Sequence, residues 1–214
     1  MTPALISTAQ TFYAALSRDN TKAWWDANRA TYDDSLKPAS LALLDDLAPE
    51  IEKMMGCPVT TKLFRPHRDV RFSKDKTPYK PHLHMMWQLQ DPDARQSPVY
   101  FFGIGADYVT AGAGLMALDK PVLTDWRKFV DLDQSRISKI IAQVTTAGFA
   151  LRPPALKRVP PPYDKDHGLE QLLRMKGVVA SRDIGNTGDT RARLVASFEQ
   201  LKPLNHLLLQ VASA

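Results

Sequence analysis

The chain has 214 residues, 44% hydrophobic and 24% charged, with 28 Lys and Arg against 23 Asp and Glu and a net charge of +5. That is enough chain to bury one substantial core, and too little net charge to point to nucleic acid by itself. The single cysteine, Cys57, excludes an intrachain disulfide and a cysteine-built zinc site. No apolar run is long enough to span a membrane and no basic-then-apolar leader opens the chain, so a cytoplasmic location is expected.

Ile6, Ala9, Tyr13 and Leu16 recur at helical spacing and predict a first helix. Asn20 and Thr21 offer a cap for a second, on which Trp25, Asn28, Arg29 and Tyr32 share one face. A third is expected after Ser35, with Pro38 in its first turn, an apolar stripe from Leu41 to Met54, a kink or shift at Pro49 and a stop at Gly56. The period then changes. Alternation from Val59 to Phe72 predicts a strand, with pairing limited or bulged at Pro66. Leu83, Met85, Trp87 and Leu89 alternate with His82, His84, Met86 and Gln88 in a second strand, and Val99–Ile104 and Tyr108–Met116 supply two more around Gly105-Ala106-Asp107. Helical period returns at Leu123–Val130 and Ile137–Val144, followed by a proline-rich loop over 152–168, a short helix from Leu169, and Val178–Ile184 as a final strand. Two C-terminal helical pieces are expected on either side of Lys202-Pro203.

Strands in a consecutive block between helical segments predict an α+β fold with a predominantly antiparallel sheet. The expected organisation is a single domain over 1–214. It has N-terminal helices at about 5–56, the sheet at about 59–117, and C-terminal helices with the proline-rich loop at about 121–212.

The charge is concentrated. Residues 65–80 carry six cations (Arg65, Arg68, Arg71, Lys74, Lys76, Lys80) and two anions (Asp69, Asp75), and removing them leaves 22 basic against 21 acidic residues. On an extended strand Arg65, His67, Asp69 and Arg71 would share one face and Arg68 would project from the other. Two guanidiniums around one carboxylate can lock a network and keep spare donors for a phosphate or carboxylate. Ser73 to Pro78 reads as a turn that displays its side chains. The expected cleft is lined by Arg65, Arg68, Asp69, Arg71, Lys76, Tyr79 and Lys80. Arg71 is expected to face the ligand and Arg68 to serve structure. Arg29 and Asp75 are expected to support the site, with Arg29 contacting Asp69 or Asp75. Asp69, His67 and Tyr79 are the candidates for catalysis, although the pattern reaches no reaction and leaves open whether the protein is an enzyme.

This R-x-x-R-D-x-R-F-S-x-D-K-x-P-Y-K segment resembles the signature of a bacterial family known as domain of unknown function 2461. Phe12, Leu16, Trp24, Asn28, Arg29 and Tyr32 resemble its N-terminal element. Gly112-Ala-Gly114-Leu115 resembles its glycine strand, and Leu156-Lys157-Arg158-Val159-Pro160 with Tyr163 its C-terminal loop. The resemblance implies an α+β bacterial protein and supplies no activity. His84 stands where the family pattern leads one to expect a small residue.

Other signals are weaker. His82 and His84 lie on one strand face, a spacing metal ligands use, with His67 as a third candidate, but no acidic partner follows at a recognised interval, so no metal is expected. Gly103-Ile-Gly105 and Gly112-Ala-Gly114 complete no nucleotide-binding motif and read as bulges or points of close approach, and no cofactor is expected. No nucleophile-elbow context surrounds any Ser, Thr or Cys. The combined reading is a protein with a basic cleft for a small phosphorylated or carboxylated ligand. The alternatives are a nucleic-acid-associated module using the same patch and a structural or adaptor protein whose charged motif is a folding network.

Overall fold

The computed structural model describes residues 2–214. Helix α1 (Thr2–Arg18) buries Ile6, Ala9, Tyr13 and Leu16, the side chains its periodicity selects. Helix α2 (Lys22–Thr31) starts where the Thr21 hydroxyl accepts the Trp24 N–H at 3.2 Å. No break follows. A π-helical turn (Tyr32–Leu36), in which the Lys37 N–H reaches back to the Tyr32 carbonyl, leads directly into α3 (Lys37–Met55). Pro38, which has no N–H to donate, falls directly after this π-helical turn, in the first turn of α3. Pro49 lies within α3, and Gly56, at φ 71°, ends it.

Six strands form one antiparallel sheet, in which the sixth in chain order lies between the fourth and the fifth. The first four, β1 (Val59–Leu63), β2 (His82–Leu89), β3 (Val99–Gly105) and β4 (Val109–Leu115), form the expected meander. Two more come from the C-terminal half. β6 (Val178–Asp183) pairs with β4, and the two-residue β5 (Ala150–Leu151) flanks it. The chain reaches them through α4 (Lys120–Leu132) and α5 (Gln134–Thr146), with α6 (Glu170–Leu173) before β6. α7 (Thr190–Ala212) then runs unbroken past Pro203, where two pieces were expected. Packing accounts for this continuity: Leu201, Leu204, Leu207 and Leu208 on both sides of the proline are buried, so tertiary burial outweighs the lost hydrogen bond.

One sheet face is covered by α1, α3 and α7. Leu83, Met85, Trp87 and Leu89 on β2 and Tyr100, Phe102 and Ile104 on β3 point into that core, and the Trp87 indole N–H donates to the Leu44 carbonyl at 3.0 Å. Among the described residues no helix is long and apolar enough to cross a membrane.

The largest departure from expectation is at residues 64–72. Strand β1 stops at Leu63, and its last ladder bond is Phe64 N–H to the His84 carbonyl at 3.0 Å. The partner for a longer strand would contain Pro78 and Pro81, which have no N–H to donate, and the turn residues between 73 and 77. Alternation persists in the sequence, but the pairing it needs is missing. Residues 64–81 leave the sheet as a loop.

Candidate functional site

The loop is an irregular hairpin closed at its base. His67 and Tyr79 form an isolated antiparallel bridge, with Arg68 N–H donating to the Pro78 carbonyl and Lys80 N–H to the Pro66 carbonyl, both at 2.8 Å. Its tip is held by its own charges. The Arg68 guanidinium meets Asp75 at 2.5 Å and donates to the Thr77 carbonyl and hydroxyl. Asp75 in turn accepts the Thr77 N–H at 2.9 Å. That N–H, then Arg68 and the Thr77 hydroxyl, pull the Asp75 carboxyl down to about 2. Asp69 accepts two hydrogen bonds from the Arg71 guanidinium, at 3.0 and 2.7 Å, which holds its carboxyl below the usual range. The Lys76 ammonium donates to the Val70 carbonyl at 3.0 Å.

A clasp fixes this hairpin to the helices. The Asn20 side-chain amide donates to the Tyr79 carbonyl at 2.9 Å and accepts the Tyr79 N–H at 3.0 Å. Thr21 alone caps α2. Asn20, which the sequence offers as a second cap, instead joins the α1–α2 corner to a residue 59 positions away. The clasp seats Tyr79 on Trp25, with ring centroids 4.5 Å apart and planes within 14°, and His67 stands edge-on to both rings at 5.0 and 5.8 Å.

This stack floors a cleft of about 650 Å³ between α2, the π-turn and the β1–loop arm. Trp25, Tyr32 and Tyr79 are buried in its base. Its walls carry Lys22, Arg29, Lys37, Lys62 and Arg65 against Asp26 and Asp33. Both carboxylates are engaged at helical spacing, Asp26 by Lys22 and Asp33 by Arg29. Lys37, Lys62 and Arg65 have no carboxylate within ion-pair distance among the described residues. Lys62 stands at the border of the cleft: it pairs across from Met86, and its ammonium sits 5.1 Å from the Phe64 ring.

Of the expected site residues, Arg65, His67, Tyr79 and Arg29 meet in this cleft. Arg68, Asp69, Arg71, Asp75 and Lys76 lie in the hairpin beyond it. Arg71, expected to face the ligand, is 77% exposed at the tip and committed to Asp69. Arg68, expected to be structural, is the network's least exposed arginine at 25%. Arg29 contacts neither Asp69 nor Asp75. Its carboxylate is Asp33, one helical turn away at 3.1 Å, a partner that helical spacing supplies without any tertiary contact. Lys80 belongs to a second concavity with His82 and His84. Those imidazoles stack at 3.9 Å, whereas His67 lines the first cleft, so the three histidines do not converge. Burial, then the His82 and Lys80 charges, push His84 down to about 4.

Sequence reasoning missed Asn20, Lys37 and Lys62. Lys62 carried a readable signal, since no acidic residue lies within four positions of it, whereas Lys37 carried none, since Asp33 and Asp34 stand four and three positions before it. Asn20 carried none, because its partner is a backbone 59 residues distant.

No curated protein matches the sequence. The family model described as conserved hypothetical protein (DUF2461) matches residues 8–207, which takes in the clasp, the hairpin, the cleft and the glycine strand. The chain belongs to that family.

Proposed function

We propose that the protein binds a small phosphorylated or carboxylated compound in the cleft between α2 and the β1–loop arm. The supporting observation is uncompensated charge: five cations and two carboxylates line the cleft, and both carboxylates are already paired, which leaves Lys37 and Arg65 in the cleft and Lys62 at its border without an acidic partner. A concave site with convergent donors and a volume of this order suits a small molecule. Arg65 offers a planar fork for an oxyanion, and Lys37 and Lys62 add field without geometric demand. His67, edge-on to the stack, supplies a further hydrogen-bonding group. This geometry supports binding and assigns no bond-making step. Within the cleft a nucleic-acid reading is disfavoured because single-strand recognition uses exposed aromatic platforms, and Trp25, Tyr32 and Tyr79 are only 6%, 5% and 4% exposed; the exposed aromatic of the basic segment is Phe72, on the hairpin tip. We also propose a cytoplasmic location, in keeping with Cys57 as a free thiol.

Calorimetric titration with phosphate, pyrophosphate and succinate tests this. One of these should bind, and Arg65→Ala should weaken it by about tenfold to a hundredfold, the range for one charge-assisted contact. Arg71→Ala should stay within about twofold of the parent, since its guanidinium is occupied outside the cleft. Loss of binding in Arg71→Ala with Arg65→Ala unchanged would overturn the assignment. Binding of a short oligonucleotide but none of the three anions would favour the nucleic-acid reading.

A further inference from the structure

The second concavity lies on the sheet face that the helices leave open. Cross-strand register sets its rows: Met86, Phe101, Gly112 and Ser181 in one, and Val99, Gly114 and Val179 in the next. The glycines shape it. A Cβ on Gly112 would sit 2.2 Å from the Phe101 ring, and one on Gly103 would sit 2.8 Å from the His84 ring. Both rings therefore lie across the sheet on bare backbone, and the face stays hollow, with a volume of about 710 Å³. Met116, 61% exposed, forms part of its lip.

The charge around this trough has one sign. Lys80 and Arg152 line it, no Asp or Glu does, and neither cation has a carboxylate within ion-pair distance among the described residues. The Lys80 ammonium sits 5.4 Å from the Phe64 ring, on the same side of the trough as His82 and His84. Burial, then the nearby Arg65 and Lys62 charges, pull that ammonium below its usual range, a cost that an incoming anion would offset. Apolar floor, cationic rim and absence of acid together describe a guest with an anionic head and an apolar body.

We propose that the open sheet face binds a carboxylic acid with an apolar body, its carboxylate at Lys80 and its body laid over Met86, Phe101 and Val179 toward Met116. The site is separate from the aromatic-floored cleft and does not depend on it. Decanoate is a suitable probe and decanol its neutral control. Amide NMR titration of the full chain should show decanoate shifting Phe101, Val179 and Lys80. Decanoate should bind about tenfold or more tightly than decanol, and Lys80→Ala should remove that preference. Met116→Glu, a change at an exposed position, should weaken decanoate by repulsion and leave decanol nearly unaffected. Excess phosphate should not displace decanoate, which separates this site from the first cleft. Equal affinity for acid and alcohol in the parent would overturn the proposal. So would decanoate shifts confined to the Trp25 cleft, or gel filtration showing a dimer that Met116→Glu splits, since the trough would then be closed by a second copy.

Discussion

Arg68 and Asp75 show how the charged segment uses part of its charge on itself. Asp75 accepts from Thr77 and pairs with Arg68, and Asp69 pairs with Arg71, so four charged groups in the hairpin neutralise one another. The Asp75 carboxyl sits at about 2, below its ordinary 3.8, so it stays ionised as pH falls through the usual carboxylate range. Its contribution to hairpin order is full above the ordinary value and is lost as pH drops toward about 2. Carboxyl NMR titration should place its midpoint there in the parent. In Arg68→Ala with Thr77→Ala it should move up toward the ordinary value; an unmoved midpoint would contradict the network. His84 behaves in the opposite chemical sense but with the same direction of stability. Its folded value of about 4 lies below the ordinary 6.5, so between those values the unfolded chain takes a proton that the folded one refuses. Stability should therefore fall from pH 7 to pH 5. Urea midpoints should show a shallower fall in His84→Gln than in the parent, and identical slopes would rule out this role.

At the scale of elements, the hairpin, α2 and the π-turn make the cleft, and Asn20 holds them in register. Asn20→Ala removes both side-chain bonds to the Tyr79 backbone and leaves a buried peptide short of partners, which should cost about 1–3 kcal/mol in chemical denaturation. It should also loosen the Trp25–Tyr79 stack, visible as a change in tryptophan emission. Strand β2 was legible because its alternation matches a sheet with one face against helices, and β3 and β4 because Gly105-Ala106-Asp107 marks the turn between them. Alternation misled at residues 64–72, because it records the intrinsic preference of one segment and says nothing of whether a partner strand can donate to it. The joins at Tyr32–Leu36 and Pro203 misled for the converse reason. Proline and a shift of helical phase read as boundaries, while burial on both sides keeps the helix running.

For the whole molecule, the family match and the antiparallel α+β sheet agree with the reading of the motif, and the structure distributes that motif's cations between the hairpin tip and the two concavities. Arg65 and His67 could be placed together from strand parity. The cleft that receives them could not, because it is completed by α2 and by Lys37, which local sequence does not tie to the motif. The two concavities flank the same stretch of chain: Arg65 lines one and Phe64 the other. We propose that the hairpin tip uses its own charges while the Arg65 cleft keeps a surplus for an oxyanion. Anomalous diffraction from crystals soaked in tungstate tests it most directly. A peak should appear within hydrogen-bonding reach of the Arg65 guanidinium, above the Trp25–Tyr79 stack. A peak at the Arg68–Arg71 tip, with the cleft empty, would contradict it.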